Sequence, residues 1–174
     1  MSLAQYALNL GLLVFILASN LGTRPVTRRR LVQPLVLVVV AAAVFLRDVP
    51  TLGNDGRLEV VGLVAGLLLG VLAGLLVTVR ERSGTVVMTA GVAYALLWIV
   101  VIVGRILFAY GADHWFTAWI RRFSVENRIT GADAWTAAFI LMALAMVVAR
   151  VAVTWVRAAR VRRNASQAPV AVAA

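Results

Sequence analysis

The chain has 174 residues, 63% hydrophobic and only 14% charged, and this excludes an ordinary soluble domain, whose core could not bury so much apolar surface. The lack of cysteine removes disulfides, thiolate metal centres and thiol chemistry. A net charge of +10 would raise nucleic acid as a partner for a soluble protein, but these cations sit between apolar runs, which points to lipid and leaves nucleic acid out.

Five apolar runs come close to the roughly 20 residues that cross a hydrocarbon layer as a helix: 3–22, 31–47, 60–79, 86–108 and 135–156. They predict an all-α polytopic membrane protein with five transmembrane helices and one short interfacial amphipathic helix. Residues 1–163 form a single domain in this reading, and 164–174, small and without periodicity, form a disordered cytoplasmic tail. The first run, opening "MSLAQYALNL", has no basic region and no cleavage site, so it reads as a retained helix and not a signal peptide.

The segment "TRPVTRRRLVQP" follows. Its "TRRRLVQ" is similar to a twin-arginine export signal, but a helix precedes it and such signals lie at the amino terminus, so it reads as a basic loop attracted to anionic lipid. Pro34 falls early in the second run, where a missing N–H costs little. "RDVPTLGNDGRLE" then predicts a compact turn at Pro50, Gly53 and "NDG".

The third run, "GLVAGLLLGVLAG", places glycine at 62, 66, 70 and 74. Helices gain nothing from expelling lipid, so they associate through close contact, and glycine lets backbones approach. Four-residue spacing turns the stripe by about 40° per step, which makes Gly62, Gly66, Gly70 and Gly74 a shallow groove along one helix. Three occupants fit it: another helix of the same bundle, a second copy in a homodimer, or a lipid or ligand lying against bare backbone. "RERSG" follows as a short loop that makes the third and fourth helices antiparallel neighbours.

Near the end of the fourth run, "VGRILFAYG" carries Arg105 at membrane depth. Such a residue either serves a site or snorkels to the interface, which is about one turn away if the helix stops at 108. In the fifth run, Arg150 lies near the cytoplasmic end and reads as a snorkelling residue. Asn9 and Asn20 in the first run, Tyr94 and Trp98 in the fourth, and Thr154 are candidates for interhelical hydrogen bonds. The connection 109–134 contains "ADHWFTAWIRRF", where Ala112, Trp115, Phe116, Trp119, Ile120 and Phe123 share one arc of a helical wheel and charged residues fill the other. This helix, at 112–123, lies flat on the membrane surface or folds over the bundle as a lid.

Arg24, Arg28, Arg29, Arg30, Arg80, Arg82, Arg157, Arg160, Arg162 and Arg163 fall on one side of the spans. Arg47, Arg57, Arg121, Arg122 and Arg128 fall on the other, diluted by most of the acids. The richer side is cytoplasmic by the positive-inside rule, which puts the amino terminus outside and the carboxy terminus inside. All 17 basic residues are arginine. A lysine-free chain rich in Ala, Val and Gly suggests a GC-rich bacterial gene, and hence a bacterial plasma membrane.

Arg47, Asp48, Arg105, Asp113 and His114 form the candidate outer-face polar site, with groups suited to an anionic head group or to proton transfer. No spacing of nucleophile and base marks a catalytic residue. His114 is the only histidine, so one chain offers neither a bis-histidine haem nor a closed zinc site, and no cofactor is expected.

A basic loop with "RP", "RRRLVQP" entering the second helix, a glycine-rich third span and Gly104-Arg105 late in the fourth follow one another in an order that resembles the small CcdC-like integral membrane proteins of bacteria. The resemblance covers roughly residues 20–157. It implies a multi-spanning protein associated with cytochrome c maturation, without a defined catalytic activity. Two functions follow as expectations. One is a non-catalytic scaffold or accessory subunit that engages a membrane-protein partner or lipid, including anionic lipid at the cytoplasmic face. The other is a small membrane enzyme or carrier acting on an anionic or lipid-linked substrate at the outer face.

Overall fold

The computed structural model describes residues 22–45 and 54–167. The run at 3–22, except for its last residue, and the candidates Arg47 and Asp48 lie outside these. The described chain is mostly helical: α1 (Arg28–Phe45), α2 (Asp55–Leu76), α3 (Val92–His114), α4 (Thr117–Glu126) and α5 (Ala132–Gln167). Of these, α2, α3 and α5 are long and apolar enough to cross a membrane. Helix α1 starts at Arg28, three residues before the apolar run, so Pro34 sits in the second turn and leaves the carbonyl of Arg30 without its helical donor.

The all-α expectation is corrected by a small antiparallel sheet, ordered β1-β3-β2, made of β1 (Gly22–Pro25), β2 (Val77–Arg82) and β3 (Thr85–Ala90). Apolar runs read as helix to 79 and from 86 therefore contain strand, and "RERSG" belongs to a hairpin. Its turn residues, Ser83 and Gly84, both have positive φ, at 51° and 74°, and pairing closes at Arg82 opposite Thr85. That is the two-residue turn whose twist matches paired strands. β-Branched residues at alternating positions then decide the rest: Val77, Val79 and Val86 point inward and are buried, whereas Thr78, Arg80 and Arg82 point outward.

Helices α2 and α5 run parallel, and the glycine stripe lies between them. A Cβ added at Gly62, Gly66 or Gly70 would run into the backbone carbonyl of Ala138, Met142 or Met146 respectively. At Gly74 it would meet the Cβ of Val153 at 2.7 Å. The stripe is thus filled by the chain's own α5, one partner per turn. Ala73, Ala137, Ala138, Ala145 and Ala149 are buried around the same seam, so small residues line it from both sides.

Helix α3 packs differently. It runs antiparallel to α5 and reaches it through large side chains: Phe108 contacts Trp135 and Phe139 at ring-centroid distances of 5.3 and 5.1 Å, and near the other end Arg150 lies 4.9 Å from the ring centre of Tyr94. Tyr94, Trp98 and Met146 are buried with the inner face of the sheet in one core. The hydroxyl of Tyr94 and the indole nitrogen of Trp98 have no hydrogen-bond partner among the described residues, and Thr154 donates to Arg150 of its own helix. None of these three therefore links two helices by a side-chain hydrogen bond among the described residues, and Asn9 and Asn20 lie outside them.

At the sheet end, α5 continues past the apolar run. It has 36 residues, about 54 Å, against a hydrocarbon layer of about 30 Å. Residues 164–167, read as the start of a disordered tail, are helical, and 168–174 lie outside the described residues. The extension lays Ala158, 1% exposed, and Val161 against the sheet. Two of its arginines hold backbone: Arg157 donates to the carbonyls of Gly74, Leu75 and Val77 at 3.0, 2.9 and 2.5 Å, and Arg162 donates to Val26 at 3.1 Å. Carbonyls at a helix C-terminus have no intrahelical donor and carry partial negative charge, so a guanidinium is a suitable cap.

Gly66→Leu should lower the thermal midpoint in detergent by an amount corresponding to about 3 kcal/mol or more, because no rotamer avoids the carbonyl of Met142. Leu68→Ile, at a position 67% exposed, should change it by less than about 0.5 kcal/mol. Equal midpoints for the two variants would refute the seam.

Candidate functional site

The end of the bundle opposite the sheet gathers the start of α2, the end of α3, all of α4 and the start of α5. Its polar anchor is Asp55. This residue is fully buried in the first turn of α2, where a carboxylate also meets the positive end of the helix dipole, and it accepts hydrogen bonds from the backbone N–H of Thr130, at 2.9 Å, and from the Thr130 hydroxyl. Beside it, Asn54 N–H donates to the carbonyl of Arg128 at 3.1 Å. Together these bonds clasp the loop between α4 and α5 to the beginning of α2. Arg128 and Gly131 have positive φ, 54° and 134°, which lets the loop turn back sharply.

The amphipathic segment expected at 112–123 is divided. Its first residues complete α3, and α4 begins only at Thr117. Gly111 causes the break: its carbonyl accepts both Trp115 N–H and Phe116 N–H, and a Cβ there would strike the Phe116 ring that folds over it. Phe116 then lies 5.9 Å from Phe108 and Phe123 lies 6.1 Å from Trp135, whose indole N–H donates to Ser124 at 3.3 Å. Helix α4 therefore leans on the bundle with one flank. Trp115 and Trp119, 69% and 57% exposed, stay on the surface.

The described members of the candidate site do not converge. Arg105, Asp113 and His114 all lie on α3. His114 is nine residues beyond Arg105, which places it half a turn round the axis and about 13 Å further along. It stacks on Tyr110 at 4.2 Å and its Nδ1 is 3.0 Å from the Tyr110 carbonyl. Asp113 is exposed. Arg105 is half-buried, with its guanidinium 5.6 Å from the ring centre of Phe139. Among the described residues no carboxylate lies within ion-pair distance of Arg105. Because α3 runs on to His114, Arg105 sits two and a half turns from the helix end, not one. Phe139, seven residues into α5, puts it about 10 Å below the end of that helix as well.

Sequence reasoning missed Asp55, Thr130, Ser124 and Phe139. "NDG" was legible as a turn, and an Asp opening a helix is a dipole signal, but nothing in spacing tied Asp55 to a residue 75 positions away. One carboxylate oxygen of Glu59, a turn into α2, is buried without a hydrogen-bond partner among the described residues. No group of three His, Cys, Asp or Glu among these residues could hold a metal ion. An open hollow lined by Asn54, Gly56, Arg57, Val60 and Val61 marks the outer flank of α2, and Arg105 is not among its walls. No protein-family model matches the chain, and no curated protein or solved structure matches it.

The ring contact makes Arg105 and Phe139 energetically dependent on each other. A double-mutant cycle with Arg105→Gln and Phe139→Leu, read by thermal denaturation in detergent, should return a coupling of about 0.5–2 kcal/mol. Additive losses would mean the guanidinium takes nothing from the ring.

Proposed function

We propose that this chain is an integral protein of a bacterial plasma membrane that works without catalysis, as a scaffold or accessory subunit holding a membrane-protein partner or lipid in place. The observation that carries this reading is the α2–α5 seam, where backbone meets side chain and carbonyl over four turns. A carrier needs a route for its cargo, and along this seam there is no room for one. The dispersion of Arg105, Asp113 and His114 supports the same reading, since acid–base chemistry needs its groups within hydrogen-bond reach.

In this reading five helices cross the bilayer, with the amino terminus outside and the sheet end in the cytoplasm. The chain directions support it: α1 leaves the sheet end, α2 returns to it, α3 leaves again and α5 returns. The ten-to-five arginine division supports it as well. Trp115 and Trp119 sit at the outer interface, where indoles prefer to lie, and Trp155, 64% exposed, sits at the inner one. A second copy, if one associates, uses a face other than the glycine stripe. The resemblance to CcdC-like proteins supports a place in cytochrome c maturation.

A second reading rests on the depth of Arg105. A cation about 10 Å inside the bundle, with no carboxylate at ion-pair distance among the described residues, suits the head group of an anionic or lipid-linked substrate entering from the outer leaflet.

Reporter fusions after Arg30, Arg57, Ser83, Arg128 and Arg163 should read cytoplasmic, external, cytoplasmic, external and cytoplasmic; a cytoplasmic signal at Arg128 would break the topology. Deleting the gene from its host should lower covalently bound haem among membrane proteins, and unchanged haem staining would remove the link to cytochrome c maturation.

Arg105→Lys keeps the charge but loses the planar fork. Under the scaffold reading, both this variant and Arg105→Gln should complement the deletion. Loss of complementation by both, with normal membrane levels, would favour the substrate reading.

A further inference from the structure

Strand β2 follows α2 with no residue between Leu76 and Val77, and β3 joins α3 through Gly91 alone. The hairpin therefore cannot move away from the helix ends. Its inner face is filled by α5. Its outer face is set by the register: Thr23, Thr89 and Thr78 lie side by side across all three strands, one residue from the helix junction, and Arg80 and then Arg82 follow toward the turn. The Thr23 and Thr89 hydroxyls are 3.0 Å apart, and Thr78, Arg80 and Arg82 are exposed.

This face is cationic. By the register, Arg80 and Arg82 are its charged side chains, whereas Glu81 and Arg24 fall on the opposite face with Val86 and Met88. Arg157 and Arg162 are engaged with backbone carbonyls, whereas among the described residues Arg80 and Arg82 make no hydrogen bond or ion pair. Above the hydroxyl row, Leu68, Leu72 and Leu75 of α2 are 67%, 44% and 58% exposed on the side turned away from Gly70 and Gly74. An apolar strip thus leads directly into a row of hydroxyl donors and then into two guanidinium groups. A phospholipid has the same sequence of acyl chain, ester region and phosphate.

We propose that Thr78, Arg80 and Arg82, with Thr23 and Thr89, form a docking surface for anionic phospholipid, its phosphate on the arginines and one acyl chain along Leu68, Leu72 and Leu75. The proposal rests on the membrane-embedded reading above. Guanidinium binds phosphate through two parallel hydrogen bonds, and hydroxyls add neutral donors. The leucine strip selects lipid over free phosphate, and the charge selects an anionic lipid over a zwitterionic one.

The test uses the full chain purified in a neutral detergent and titrated with phosphatidylglycerol, phosphatidylcholine or inorganic phosphate, with adducts counted by native mass spectrometry. Wild type should bind phosphatidylglycerol in preference to the other two, and salt should weaken that binding. At about a fivefold loss per arginine near the surface, the double variant Arg80→Gln/Arg82→Gln should bind it about 25-fold more weakly. Arg160→Gln, on exposed α5, should bind within about twofold of wild type. Arg82→Gln alone, beside the turn, should still show about a fivefold loss if the double variant does not fold. Wild-type affinity in a folded double variant, or in Arg82→Gln where the double variant is unfolded, would overturn the proposal, as would equal binding of phosphatidylcholine or phosphate. Carbonate extraction separates this from the wider reading: release of wild type from membranes would overturn both, and retention alongside wild-type lipid binding by the variant would overturn the docking surface alone.

Discussion

Four glycines of α2 lie against successive turns of α5, and the contact leaves those helices little freedom to slide or rotate. A one-residue slip would carry each glycine out of its place and bring a residue with a side chain, Leu63, Leu67, Val71 and Leu75 in one direction, against α5. In lipid, where expelling solvent from between helices gives little, such contact is what fixes a pair. Much of the remaining fold is referred to it. Helix α3 reaches α5 through rings, which tolerate small shifts, and α4 leans on the far ends of both.

The sheet end solves a problem that the seam creates. Helix α2 ends at Leu76, where the chain turns directly into β2, and its last carbonyls are left without intrahelical donors. Arg157 donates to two of them, Gly74 and Leu75, and to Val77 at the start of β2. Because α2 and α5 are parallel, the C-terminal turns of α2 meet the part of α5 that lies past its apolar run, where the arginines begin. All three bonds come from one guanidinium nitrogen, which places the positive charge directly over the clustered carbonyls. Part of the arginine excess at the sheet end therefore holds backbone in place.

Apolar runs made α2, α3 and α5 legible in the sequence, and the four-residue period made the glycine stripe legible as a contact surface, though not its occupant. The sheet was hidden for a physical reason. Val77 and Val79 continue the hydropathy of α2, and Val86 to Ala90 lead into α3, so a window of helical length averages strand into helix. The alternation of Val with Thr, Arg and Glu around Ser83-Gly84 was the available signal. At the far end, Arg105, Asp113 and His114 were visible as residue types, but their phase on one helix, fixed only once α3 was seen to reach His114, keeps them apart. The Asp55–Thr130 clasp depends on folding over 75 positions and had no local trace.

Between Ala132 and Gln167, α5 contains neither glycine nor proline. Kinks in long helices arise mostly at such residues or at interruptions of the hydrogen-bond ladder. The α4 flank, the glycine seam and the inner face of the sheet are therefore mounted on one unjointed strut. One continuous helix thus links Trp135, beside α4, to Ala158, beneath the sheet, with no glycine or proline between them.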